Sequence, residues 1–173
     1  MPNTYVKIAS VAVGGAGAAN IEFTAIPGTY TDLLVKLSVR TNRVTAEESV
    51  NIEFNGTGGT AYSSKRLYGT GTAAASDSGS AEAFTKFYSV TGGSATASVF
   101  GSAEIYVPNY AGSTAKSVSV DAVTENNAST ATAGLTAGLT TNTAAITSIK
   151  FTPGSSGTIQ QYSTATLYGI KSS

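Results

Sequence analysis

The stretch LLVKLSVR at residues 33–40 decides the fold class of this chain of 173 residues. Apolar side chains recur there at every second position, a period typical of a β-strand with one face in a core. The positions predicted to face inward are Leu33, Val35, Leu37 and Val39. The alternate positions, predicted to face solvent, are Leu34, Lys36, Ser38 and Arg40.

Similar alternation recurs along the rest of the chain. Further strands are predicted at residues 5–13, 20–24, 50–54, 62–68, 83–90, 99–107, 117–123, 146–151 and 164–171. The dipeptide Asn55-Gly56 is a strong hairpin signal and predicts that residues 62–68 return beside 50–54. Residues 70–80, rich in Gly, Ala and Ser, are predicted to form a flexible loop.

About ten short strands, with turns between them and no helical period, predict an all-β fold. We expect an antiparallel β-sandwich of the jelly-roll or Greek-key type. Residues 1–173 are predicted to form one domain, in which residues 1–19 are either a first strand or an extended arm. The predicted core comprises Ile21, Phe23, Leu33, Val35, Leu37, Val39, Ile52, Phe54, Phe84, Ile105, Val118, Val120, Ile149 and Leu167.

Charge is scarce and balanced. Charged residues make up 12 % of the chain, and ten basic residues offset ten acidic ones, against a usual charged share of about 25 %. We therefore expect no electrostatic attraction to nucleic acid or to a membrane surface. The N-terminal residues have no secretory pattern, and no apolar run is long enough for a membrane helix. Low charge suits a surface covered by other protein chains, although a neutral surface rich in Ser and Thr also stays soluble alone.

Reactive groups are few. The chain has no His and no Cys, which excludes a Ser-His-Asp triad, a disulfide framework and a zinc site of Cys or His. The carboxylates lie mostly at polar strand positions, so a paired-carboxylate glycosidase is disfavoured. We expect no catalytic residues, no metal and no cofactor, and the protein is predicted not to be an enzyme.

Aromatic residues are the remaining candidates for a binding surface. The chain has nine tyrosines and no tryptophan. Exposed tyrosines can stack on sugar rings, and they also line subunit interfaces and core margins. The candidate interface residues are Tyr62, Tyr68, Tyr106, Tyr110 and Tyr162.

Four segments carry a resemblance to a known group of proteins. They are IPGTYTDL at 26–33, YVPNYA at 106–111, NTAAITSI at 142–149 and ATLYGIK at 165–171. In this order they resemble segments of small virion structural proteins of tailed phages, cyanophages among them, that are capsid decoration (cement) proteins or tail-fibre components. The tract of Ala and Thr at residues 128–141 departs from that pattern in a region expected to form outer loops.

The resemblance implies a capsid decoration protein that binds the outer surface of a phage head and stabilises the shell. The implied partners are the major capsid protein and further copies of the chain, in a homotrimer, with neither nucleic acid nor membrane. The implied location is the virion, on the capsid surface. The alternative is a tail-fibre or receptor-binding head, or a carbohydrate-binding module, of a phage.

Overall fold

The structure, a computed structural model, describes residues 4–127 and 131–171, and the part of the Ala/Thr tract at 128–130 lies outside it. The described residues form twelve β-strands and no helix. In chain order these are β1 (Tyr5–Ala12), β2 (Ile21–Phe23), β3 (Asp32–Val39), β4 (Glu47–Phe54), β5 (Tyr62–Gly69), β6 (Ala74–Glu82), β7 (Thr85–Thr91), β8 (Gly101–Val107), β9 (Lys116–Thr124), β10 (Thr132–Thr140), β11 (Ile149–Pro153) and β12 (Thr164–Ile170).

The strands form two antiparallel sheets, as predicted. The large sheet has the order β1-β12-β3-β8-β9-β10-β5-β6, and the small sheet has the order β2-β11-β4-β7. Pairings are nested: β3, β4 and β5 pair with β8, β7 and β6 on one side and with β12, β11 and β10 on the other. This nesting is the winding of a jelly roll, in which one long antiparallel ribbon is folded over a common core.

The core lies between the sheets and contains all but one of the predicted core residues. The exception is Phe84, which is half-buried and precedes the first residue of β7. In β7 the inward positions are those of Thr85 and Phe87, both fully buried. Phe84 lies one residue out of phase with them, so the prediction that it belongs to the core was wrong.

Two predictions about β3 and its end were also wrong. Leu34, expected to face solvent, is only 7 % exposed, because it lies between Tyr106 of β8 and Tyr168 of β12 on the outer face of the large sheet. Arg40 is 5 % exposed. Its guanidinium lies inside the loop that follows β7, where it donates hydrogen bonds to main-chain carbonyls.

Three segments differ from their predicted local structure. Residues 70–80 are not a loop, because strand β6 occupies most of them. Asn55 and Gly56 do form a tight turn, with φ values of 54° and 63°, but the hairpin prediction was wrong because β4 and β5 lie in different sheets. The Ala/Thr tract, expected in outer loops, supplies β10, a central strand of the large sheet.

Candidate interaction surfaces

Strand β10 is built with its apolar side chains outward. Its sequence is TAGLTAGLT, so a period of two places Leu on one face and Thr or Gly on the other. The threonines are buried: Thr132, Thr136 and Thr140. The leucines are exposed, Leu135 by 56 % and Leu139 by 38 %. This is the reverse of the usual arrangement for a strand that covers a core.

The inward face of β10 explains the small residues. A Cβ at Gly138 would collide with the side chain of Thr85 on β7. The two sheets therefore approach closely at this point, and only small side chains fit between them. At the other end of β10, beside Thr132, the interior is polar, as the hydroxyls of Thr91 and Thr124 are 2.9 Å apart. Leucine on this face would not fit, which leaves the leucines of β10 on the outside.

Strand β5 follows the same inverted pattern. Leu67 is 60 % exposed and lies directly opposite Leu135 of β10. Its neighbour Arg66 turns the other way, between the rings of Tyr68 and Tyr88, with its guanidinium carbon 3.9 Å from each ring centre. Arg66 also bonds the carboxylate of Asp77 on β6. The guanidinium of Arg66 is thus stacked between two rings and paired with Asp77, while Leu67 faces solvent.

Together these strands present an apolar face on the outside of the large sheet, here called the leucine face. It consists of Leu67, Val123, Leu135 and Leu139, with Ala133 and Ala137 between them. Shallow open cavities lie along it. The charged side chains at the same level are Lys65 and Asp121, so the face has little net charge. An exposed apolar area of this kind is a candidate surface for contact with another macromolecule.

The four segments that carry the resemblance converge at one end of the sandwich. Tyr110 is fully buried there, and its hydroxyl donates to the carbonyl of Pro27. The main-chain carbonyl of Tyr110 accepts a bond of 2.9 Å from Ile146. A Cβ at Gly169 would collide with the ring of Tyr30, so the last segment also belongs to this cluster. The resemblance therefore lies in residues that position loops and strand ends.

Asp32 ties two of these segments together. Its carboxylate accepts a bond of 2.9 Å from the main-chain N–H of Asn109 and another of 2.9 Å from the hydroxyl of Tyr106. The hydrogen bond to Asp32 raises the pKa of Tyr106 above its ordinary value. This carboxylate is fully engaged in local structure, and the cluster has the chemistry of a structural clasp.

A second concave feature lies on the outer face at the opposite edge of the large sheet. It is a cavity of about 280 Å³ lined by Tyr5, Leu34, Lys36, Glu104 and Tyr168. Lys36 and Glu104 form an ion pair within it. Aromatic rings beside a charged pair are a common arrangement for binding a polar ring. We call this feature the tyrosine cleft.

The structure separates the five candidate tyrosines. Tyr62 and Tyr110 are 1 % and 0 % exposed, and burial raises the pKa of both. These two are core residues, so the prediction that they lie at a binding surface was wrong. The ring of Tyr68 contacts the guanidinium of Arg66, and the hydroxyl of Tyr106 donates a hydrogen bond to Asp32. Tyr162 lies at the other end of the sandwich, where it is 73 % exposed and has a φ of 70°. The five side chains do not form a single site.

The residues of the leucine face and the tyrosine cleft were missed in the sequence, apart from Tyr106 beside the cleft. The sequence signal for the leucine face was the repeated TAGL of β10. With the two-residue period of a strand, this repeat places Leu on one face and Thr on the other. Across residues 4–127 and 131–171, no three acidic side chains are grouped so that they could hold a metal ion. Nor does this part of the chain contain a helix long and apolar enough to cross a membrane.

Known proteins similar to this chain are found among solved structures. No protein-family model and no curated protein matches it. Among solved structures, the galectin LEC-6 of Caenorhabditis elegans is similar over 94 % of this chain and 96 % of its own, with 10 % sequence identity and a TM-score of 0.37.

Proposed function

We propose that this protein is a virion structural protein of a tailed phage, a capsid decoration protein that binds the outer surface of the head and stabilises the shell. In this proposal the leucine face contacts the major capsid protein, and copies associate as a homotrimer. The protein acts without catalysis, metal or cofactor.

The observation that carries the proposal is the inverted pattern of β10 and β5. Leu67, Leu135 and Leu139 are exposed, while the threonines of β10 are buried and the side chain of Arg66 is only 11 % exposed. Exposing leucine to water is unfavourable, by roughly 1.5–3 kcal/mol for a side chain that burial would cover completely. An interface that covers the leucine face would recover this free energy. The phage resemblance of the four converging segments supports a virion as the setting.

The physical mechanism is mass action. A protein that bridges neighbouring coat subunits binds the assembled shell and not the separate subunits. Its binding free energy therefore adds to the stability of the assembled state. Balanced charge suits this role, since neither partner needs to overcome long-range repulsion.

The test uses phage particles from which this protein has been deleted, to which purified protein is added back. We expect Leu135→Glu to weaken binding to the particles at least tenfold, because a charge would replace an apolar contact in a covered interface. The matched control is Val44→Glu, since Val44 is 88 % exposed and lies outside the leucine face. Added wild-type protein should also raise the temperature at which the particles release DNA.

Two results would count against the proposal. Equal binding of the two variants would remove the leucine face from the contact with the coat. Particles that are equally stable with and without the protein, yet fail to adsorb to cells, would replace shell decoration with a receptor-binding role.

The second candidate is a receptor-binding or carbohydrate-binding module, favoured by the tyrosine cleft. Tyr5, which is 56 % exposed, and Tyr168 would stack on a sugar ring, and the pair of Lys36 and Glu104 would bond its hydroxyls. Binding to a panel of host-surface glycans tests this role. A glycan that binds wild type and not Tyr168→Ala, while both proteins bind particles equally, would favour it.

A further inference from the structure

Strand β6 is an edge strand with unusual exposure. The large sheet ends at β1 on one side and at β6 on the other. The residues from Ala74 to Ser78 are all exposed, so neither face of this part of β6 is covered. Among the described strands it pairs only with β5, through a regular register from Ala74 opposite Gly69 to Gly79 opposite Ser64. Its other edge presents unpaired main-chain N–H and C=O groups.

The two edges of the large sheet differ in how they are protected. Proteins block edge strands with lysines, bulges or short length, because an open edge pairs with other chains. Strand β1 has both Lys7 and a bulge between Lys7 and Ala9 in the middle of its length. In β6 the irregularity comes only after Gly79, near Ala81 with its φ of 54°. The charge of Asp77 is balanced by Arg66.

We infer that β6 pairs antiparallel with β6 of a second copy of this chain, across a two-fold axis at Ser76. The two large sheets then continue as one. In this register Ser76 lies opposite Ser76 of the other copy, Ala75 opposite Asp77, and Ala74 opposite Ser78. All five residues belong to the straight part of the strand, and their side chains are small enough for two main chains to approach.

Electrostatics disfavours a register with its axis two residues further along β6. An axis at Ser78 would place Asp77 of one copy opposite Gly79 of the other. The carboxylate of Glu82 lies directly over Gly79, at the place that a Cβ would occupy, so two carboxylates would meet on one face. With the axis at Ser76, Asp77 faces Ala75 and Glu82 lies beyond the paired residues. The contact is isologous, as expected for a two-fold interface.

This contact is separate from the proposed trimer and does not depend on the proposed function. It consists mainly of main-chain hydrogen bonds between small residues, so it is weak for free chains and becomes effective where copies are held close together. On a surface that carries many copies, two-fold contacts of this type would link neighbouring oligomers. The joined sheets would also bring the leucine faces of two copies into one continuous surface.

Cysteine cross-linking tests the contact in the purified protein, because the chain has no cysteine of its own. Ser76→Cys places two thiols directly opposite each other, about 4.5–5.5 Å apart between Cα atoms, which suits a disulfide. Ser78→Cys is the matched control, because it is exposed on the same face of β6. In the inferred register its two copies are four residues apart along the strand, about 14 Å. We expect Ser76→Cys to form disulfide-linked dimers at least tenfold faster under mild oxidation.

A second variant separates this contact from random collision. Ser76→Lys would place two like charges opposite each other. At high protein concentration we expect wild type to associate in sedimentation beyond the proposed trimer, and we expect Ser76→Lys to lose this further association with an unchanged circular dichroism spectrum. Equal cross-linking rates of the two cysteine variants, or faster linking of Ser78→Cys, would overturn the inference. So would association of Ser76→Lys equal to that of wild type. The particle experiments above are unaffected by either result.

Discussion

Replacing Arg40 with methionine should destabilise the protein substantially. The guanidinium donates four hydrogen bonds to the loop after β7: Nη1 to the carbonyls of Thr96 (2.7 Å) and Val99 (3.0 Å), and Nη2 to those of Gly93 (3.2 Å) and Ala95 (3.0 Å). Methionine keeps the apolar stem and removes all four donors. The loop then loses the group that determines its shape.

The magnitude follows from the surroundings of the four carbonyls. A hydrogen bond to a charged group contributes about 1.5–3 kcal/mol, and an unsatisfied buried group costs about 1–3 kcal/mol. Thr96 is exposed, so its carbonyl can bond water, whereas Ala95 is 7 % exposed and its carbonyl stays unpaired. We therefore expect Arg40→Met to lower the free energy of unfolding by about 2–4 kcal/mol. For a domain of this length that corresponds to a fall in Tm of roughly 4–16 °C.

Urea denaturation followed by tyrosine fluorescence measures this change. Lys65→Met is the control, because Lys65 is an exposed cation on β5 and its loss should change the free energy of unfolding by no more than about 0.5 kcal/mol. A loss below about 1 kcal/mol for Arg40→Met would show that the four carbonyls do not depend on the guanidinium, and the account of this loop would be wrong.

Three further predictions concern the core, the converging segments and pH. Leu37→Ala, at a site 4 % exposed, should cost about 2–5 kcal/mol in urea denaturation, and a loss below about 1 kcal/mol would place Leu37 at the surface. Gly169→Ala should cost roughly 1–3 kcal/mol, because the new methyl group collides with the ring of Tyr30; unchanged thermal stability would contradict this contact. Burial raises the pKa of Tyr62 and Tyr110 above 10.0. Above that pH these two tyrosines lose their protons in the unfolded chain before they do in the folded protein. The free energy of unfolding should therefore fall, by up to about 1.4 kcal/mol per pH unit for each residue. Ionisation of all nine tyrosines before unfolding begins would argue against buried phenols.

The sequence was sufficient for the fold class and for most of the core. Alternation in β3 and β9 is strong because both strands cover the core, β3 with Leu and Val and β9 with Val and Ala. Phe84 failed because an aromatic residue next to a strand carries no information on the phase of that strand.

Strands β6 and β10 could not be predicted from local composition. Alanine, serine and glycine have low preference for strands, and β6 is built almost entirely from them. Its conformation comes from pairing with β5, which is a tertiary effect. In β10 the apolar period is present but points away from the core, because Gly138 and the threonines are needed where the sheets come close.

The candidate surfaces were hidden for a related reason. The search for exposed aromatic residues selected Tyr62 and Tyr110, and both are buried. An exposed leucine looks like a core residue in a sequence, so the leucine face became visible only when the register of β5 and β10 was known. Arg40 was assigned to solvent on charge alone, although four carbonyls in a distant loop bury it.

The central claim, that this protein decorates a phage head, is tested most directly by its copy number in purified virions, measured by quantitative mass spectrometry against the major capsid protein. Decoration of the shell predicts copies in numbers comparable with the coat subunits. A few copies per particle, as expected for a component of the tail, would contradict the claim.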